Sequence, residues 1–254
     1  MTSLAELMNL KGRRAVITGA TGKIGTIIAD SLAELGAELV LVDRPGADFA
    51  AVATLVADRW GAVAHGMPCD LEQQEDRDRL VAGLAGRADI LVNNAAFVGT
   101  SQLRGWAEPF QDQSVDTWRR ALEVNLTAVL AASSGGSIVN IASIYAHLGP
   151  DWSLYEGTRM ANPAAYAASK GGLLQLTRWM ATTLAPQIRV NSLSPGGVSR
   201  GQPEVFAERY KARTPLKRMA TEDDFRGAIA YLASDLSRYV TGQDLTVDGG
   251  WSAW

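Results

Sequence analysis

An open, doubly wound parallel α/β sheet forming a single domain over residues 1–254 is the fold this sequence predicts, and three observations carry it. Short β-branched runs alternate with helix-patterned stretches along the chain. The first run enters a glycine-rich turn that opens a helix. Hydroxyl, amide and small residues gather where the later runs end, the edge at which open parallel sheets hold ligands. At 254 residues, 47% hydrophobic and 20% charged, the chain suits one α/β domain with a large core rather than two small ones.

Element by element, residues 1–11 read as a short leader turn, and Arg14–Thr18 as a buried strand. That strand runs into Thr18-Gly19-Ala20-Thr21-Gly22-Lys23-Ile24-Gly25. A periodic apolar stretch over 24–35, stopped by Gly36, is a helix with a glycine end. Strand, glycine turn and helix together let the backbone approach a pyrophosphate and aim a helix N-terminus at its charge, although glycines also simply make turns. The next strand, Glu38–Asp43, ends in an acid about twenty residues on, where a ribose hydroxyl would be held. Residues 88–96 form another apolar run that closes on Asn93-Asn94-Ala95-Ala96. Residues 137–143 place the hydroxyl of Ser143 at a strand end, and 188–193 lead into Ser194-Pro195-Gly196-Gly197.

Between the last two strands stands Tyr166-Ala-Ala-Ser-Lys170, a phenol and an ammonium on one helix face. Tyrosine, with a free pKa of ~10, is a poor acid or base near neutrality. A neighbouring cation that lowers it by ~2–3 units must supply roughly 3–4 kcal/mol of differential stabilisation. A surface Tyr beside a solvated Lys is the plain alternative. Tyr145 and Tyr155 lack a Lys four residues on.

A net charge of −3 argues against nucleic acid as a partner. One cysteine, Cys69, cannot close an internal disulfide and fits a reducing, cytoplasmic setting as a small buried residue. No export signal and no run of ~18 apolar residues is present, so no membrane role is expected. His65 and His147 stand without ligand neighbours, so no metal is expected. Trp251 and Trp254 in the tail suit an interface or the core equally well.

Over essentially its whole length the chain resembles the short-chain dehydrogenase/reductase family. The matching stretches are the turn from Thr18 to Gly25, Cys69-Asp70-Leu71, Asn93 to Ala96, Ser143, Tyr166 with Lys170, Pro195-Gly196, and the tail from Val240 to Gly250. The resemblance implies a Rossmann-like fold and reversible alcohol–ketone redox chemistry on a small molecule. In it, Tyr166 is general acid/base, Lys170 lowers its pKa and holds the nicotinamide ribose, and Ser143 orients the reacting oxygen. Asn125 supports a proton-relay water. It further implies a cofactor-binding set of Gly19, Thr21, Lys23, Ile24, Asp43, Arg44, Asp70, Leu71, Asn93, Ala95, Pro195, Gly196 and Val198, with Asp70 near the adenine and Asn93 bracing the adjacent strand. Asp43 would repel a 2′-phosphate and favours NAD, whereas Arg44 and Lys23 keep NADP open.

Departures from the family pattern qualify this. Lys23 replaces a turn glycine, which is shifted to Gly22. Ala96 replaces a glycine, and Arg200 stands where a threonine is usual and could fork onto a carboxylate, phosphate or sugar hydroxyl, or only form an exposed ion pair. Insertions near 97–115 and 146–163 form substrate lids, and Trp152, Tyr155 and Glu156 are candidates to receive a polar ring, or a lid packing on itself. Between Asn125 and Ser137 the helix is about three turns short, which makes the family's homotetramer less secure than the fold; a homo-oligomer, dimer or tetramer, is expected. Sugars, polyols or sugar acids are the expected substrates. The alternatives are a 3-ketoacyl-thioester reductase using NADPH and a dinucleotide sensor without turnover.

Overall fold

The structure is a computed structural model that describes residues 1–84, 87–97, 103–128 and 136–254. Seven strands make one parallel sheet: β1 (Arg14–Thr18), β2 (Glu38–Asp43), β3 (Ala64–Pro68), β4 (Ile90–Asn93), β5 (Gly136–Ile141), β6 (Ile188–Pro195) and β7 (Asp244–Val247). Their order is β3-β2-β1-β4-β5-β6-β7. It reverses between β1 and β4, which opens a crevice at the carboxyl ends of the strands. Ile17 of β1 pairs with Leu41 on one side and Val92 on the other.

Alternation along the strands divides the core. Ala15, Ile17, Leu39, Leu41, Ile90 and Val139 face α2 (Lys23–Glu34), α3 (Phe49–Trp60) and α8 (Arg226–Ala233). Val16, Val40, Val42, Leu91, Ile138 and Val190 face α4 (Gln74–Gly83) and α6 (Ala164–Leu184). Burial on both faces is what makes these strands near-continuous aliphatic runs.

Elements without that signal went unread from sequence. β3 is an edge strand, Ala-His-Gly-Met-Pro, largely exposed and ordered by its pairing with β2. The helix α4 is polar on most positions. Residues 1–11 are not merely a leader turn: Leu4–Met8 form a short helix, α1, because Ser3 and Glu6 cap it reciprocally.

A buried polar ladder crosses the sheet. Asn93 Nδ2 donates to Asn140 Oδ1 at 2.8 Å, and Asn140 Nδ2 donates to Thr177 Oγ1 on α6 at 2.9 Å. Helix α5 (Val115–Asn125) ends at Asn125. Most of the shortened segment, residues 129–135, and part of the first lid, 98–102, lie outside the described residues. The remaining long helix is α7 (Glu204–Arg213), which covers the second lid.

Candidate active site

Gly19 takes a left-handed conformation, φ +63°, and a side chain there would strike Ala95 Cα at 2.9 Å. Gly25 sits so close beneath the turn that an added Cβ would come within 2.1 Å of Gly19 O. Asn94 braces the turn from β4, its Nδ2 donating to Thr18 O and Gly19 O at 3.0 Å each. Helix α2 begins at Gly22 with no side-chain cap, which leaves its first-turn N–H groups open toward the crevice. A cleft of about 750 Å³ opens there, lined by Gly19, Thr21, Lys23, Ile24, Asp43, Arg44, Asp70, Leu71, Ala95, Pro195, Gly196 and Val198. These residues fit a dinucleotide: an uncapped helix start for phosphates, and an acid at the end of β2 for a ribose.

Asn93 is not on this wall. It is 8% exposed and braces the adjacent strand through Asn140, as the resemblance implies, because the alternation of β4 turns it to the α6 face of the sheet and presents Asn94 to the cleft instead. Sequence reading also passed over Phe97, Leu103, Arg120, Glu72 and Gln202 in the cleft. Arg120 forks onto Glu72 at 2.8 and 2.9 Å and lies 4.7 Å over the Phe97 ring. No periodic pattern announces such contacts between remote loops. Asp43 is partly committed within the protein, its Oδ2 accepting from Thr21 N and Oγ1 at 3.0 and 2.7 Å.

The same cleft reaches Ser143, Tyr166 and Lys170, which β5 and α6 bring together. Ser143 follows β5 and accepts from Tyr145 N at 3.2 Å. Lys170 is 2% exposed, donates from Nζ to Ile141 O at 2.7 Å, and stands 5.8 Å from the Tyr166 ring centroid. Burial pulls its pKa down to about 8. The Tyr166 phenol is pushed up by burial, against which the Ser143 hydroxyl and the Arg200 charge favour the ionised form and Tyr145 opposes it. The Lys170 ammonium, expected to favour the phenolate, stands beside the Tyr166 ring, itself desolvated and bonded to a carbonyl. Asn125, 1% exposed, accepts from Phe97 N at 2.6 Å and donates to Ser169 Oγ at 2.9 Å, so its side chain ties the end of β4 to α6.

The second lid does not line this cleft. Trp152 leans on Tyr155 at 5.7 Å, Tyr155 on Phe206 of α7 at 5.4 Å, and Tyr145 and Tyr155 share a hydrogen bond of 2.8 Å. Glu156 offers its carbonyl to Arg209 at 2.6 Å. The lid packs on itself and on α7, and Trp152 and Tyr155 border a separate cavity of about 650 Å³. Arg200, by contrast, lies in the catalytic cleft, with its Nε 3.4 Å from Glu222 Oε1.

Known proteins agree with this geometry. A family model described as Enoyl-(Acyl carrier protein) reductase matches residues 19–252. A cis-4-hydroxycyclohexanecarboxylate dehydrogenase from Sinomonas cyclohexanicum is 35% identical over 95% of this chain and 97% of its own. A 3-oxoacyl-[acyl-carrier-protein] reductase from Aquifex aeolicus is 29% identical over 96% and 98%. Among solved structures, a candidate NAD(P)-dependent gluconate 5-dehydrogenase from Beutenbergia cavernae, with NADP bound at low occupancy, superposes with a TM-score of 0.86. It is 36% identical and is covered at 98% of this chain and 100% of its own. Likeness along the full length, together with a hydroxyl, phenol and ammonium converging at a dinucleotide crevice, makes this chain a member of the short-chain dehydrogenase/reductase family, an NAD(P)-dependent dehydrogenase acting on CH–OH groups.

Proposed function

We propose that this enzyme interconverts a secondary alcohol and a ketone on a sugar, polyol or sugar acid, using NAD in preference to NADP. The observation that carries the reading is the meeting of Ser143, Tyr166 and Lys170 at the wall of the dinucleotide cleft. When bound, a nicotinamide dinucleotide supplies the acceptor or donor of the hydride. Ser143 holds the substrate oxygen by its hydroxyl. Tyr166 Oη takes the carbinol proton in oxidation and returns it in reduction, a transfer that typically contributes ~10²–10⁴-fold. Lys170, fixed by Ile141 O, keeps a positive charge beside the developing phenolate and shares the proton's path, with Asn125 holding the end of β4 against α6.

Relatives named for a hydroxycyclohexanecarboxylate and a gluconate support a hydroxylated substrate, the acid branch included. Asp43 at the cleft supports NAD, since its carboxylate would repel a 2′-phosphate, while Arg44 and Lys23 beside it are the groups that would admit NADP. Exposed Trp118 on α5 and Trp179 on α6 support assembly into a dimer or tetramer. A second reading, reduction of a 3-oxoacyl thioester with NADPH, is supported by the Aquifex relative and by Arg44.

Absorbance at 340 nm with NAD⁺ or NADP⁺ and a panel of sugars, polyols, hydroxy acids and simple secondary alcohols tests the proposal, with NADPH and a 3-oxoacyl thioester as the competing arm. Turnover with a hydroxylated substrate that Tyr166→Phe lowers by at least about 10³-fold, with dinucleotide affinity within a few-fold, is the expected result. Full activity in Tyr166→Phe would end the mechanism.

A further inference from the structure

Arg200 lines the cleft with hydrogen-bond donors that proton transfer and dinucleotide binding leave unused. Its backbone is locked in place. Ser199 N donates to Ala220 O at 2.8 Å and Ala220 N to Gly197 O at 2.9 Å. The Gln202 side chain spans the same loop, donating to Val198 O at 2.7 Å and accepting from Arg200 N at 2.7 Å. The side chain therefore leaves the loop from a fixed origin into the cleft that holds Tyr166.

Its electrostatics are one-sided. Glu222 approaches Nε at 3.4 Å without a hydrogen bond of good geometry, and that Oε1 is buried and makes no other. The terminal guanidinium nitrogens of Arg200 make no hydrogen bond to any described residue. The other cations on the wall near the reacting group are engaged, Lys170 by Ile141 O and Arg120 by the fork of Glu72. Lys23 and Arg44 sit at the glycine turn and the end of β2, the dinucleotide end of the cleft. Among the described residues of the wall, Arg200 combines unused donors with a charge that reaches the Tyr166 phenol.

A planar fork with two free donors matches the two oxygens of a carboxylate. The nearby Glu222 offsets part of the positive charge, which suits one negative charge better than the two of a phosphate monoester. We propose that Arg200 clamps the carboxylate of the substrate, so that the enzyme selects hydroxy acids over the matching neutral polyols. The inference rests on the alcohol–ketone reading of the same site and narrows its substrate to the acid branch.

The test compares a hydroxy acid with the alcohol in which CH₂OH replaces its carboxylate, gluconate against glucitol and 4-hydroxycyclohexanecarboxylate against 4-(hydroxymethyl)cyclohexanol. Wild type, Arg200→Gln and Arg200→Lys are assayed as full-length protein. In Arg200→Gln the ratio of kcat/KM for acid over alcohol should fall by about 10–100-fold, mainly through KM, as expected for loss of a charge-assisted pair. Arg200→Lys, which keeps the charge and loses the fork, should recover only part of that ratio. An unchanged ratio overturns the clamp. So does a loss that appears instead as an equal rise in the dinucleotide Kd, measured by fluorescence titration, which would place Arg200 on the cofactor's phosphates.

Should none of these compounds turn over, tryptophan fluorescence follows binding of the same acids to the protein saturated with dinucleotide. Acid binding that Arg200→Gln abolishes upholds the clamp while the redox reading fails. Binding indifferent to the substitution, or absent in wild type, overturns it. If alcohols turn over in a Tyr166-dependent way without preference for acids, the redox reading stands and the clamp falls.

Discussion

Lys170 is among the largest side chains fully enclosed by the protein, and among the described residues its ammonium has a single hydrogen bond, to Ile141 O. Burial brings its pKa from 10.5 to about 8. Between those values the unfolded chain holds a proton that the folded chain has released, so stability rises with pH across that window. Below pH 8 the fold bears the full cost of the buried charge, of order 3 kcal/mol. Lys170→Met should therefore abolish turnover yet melt no lower than wild type at pH 7, with any advantage shrinking as pH rises from about 8 toward 10.5. Thermal melts of both proteins at four pH values check this, and a variant that is less stable by the same margin at every pH would refute the buried-charge account. The spacing of Tyr166 and Lys170 was legible in the sequence as a helix-face pair. The depth at which Lys170 sits was not, because burial depends on β5 and on Ile141, which no local pattern ties to position 170.

At the level of elements, the β1 turn and α2 were the most readable part of the chain, since each residue there obeys a local rule: an aliphatic strand, then glycines, then a 3.6-residue apolar period. What remained hidden was the bracing from outside. Asn94 holds the turn from β4, and Thr21 ties it to Asp43 at the end of β2. The neighbouring Asn93 carries the same side chain and faces the opposite way, a distinction set by strand alternation that two adjacent asparagines conceal. Gly25 is the tightest point of the assembly. Gly25→Ala would put a methyl within 2.1 Å of Gly19 O, so backbone must move. Dinucleotide affinity should fall by at least about tenfold, with a stability loss of about 1–3 kcal/mol from overpacking. Fluorescence titration and thermal melting measure the two effects, and unaltered affinity would show that the turn is not the phosphate cradle. The second lid was legible only as two alternatives. Its aromatics left open a substrate platform or a lid packing on itself, and the second holds: Trp152 and Tyr155 find their partners in each other and in Phe206.

Across the whole molecule, the sheet places the glycine turn and Asp43 on β1 and β2 and the hydroxyls of Ser143 and Tyr166 on β5 and α6, on opposite sides of the point where the strand order reverses. Strand order itself was not readable from periodicity, which shows only that a core closes on either face of the sheet. The ladder from Asn93 through Asn140 to Thr177 has a role in this arrangement that stability alone does not capture. Ser143 lies three residues beyond Asn140 on the strand line, and Lys170 lies two helical turns before Thr177. The Asn140–Thr177 hydrogen bond, with that of Lys170 to Ile141 O, ties α6 to β5, the two elements that carry Tyr166 and lead to Ser143. Thr177→Val keeps the shape, leaves Asn140 Nδ2 without its acceptor, and should cost about 1–3 kcal/mol. If the ladder acts as a gauge between strand and helix, kcat will drop even at temperatures where denaturant titration shows the variant fully folded; a variant that loses stability but keeps wild-type kcat would make the ladder a brace and nothing more.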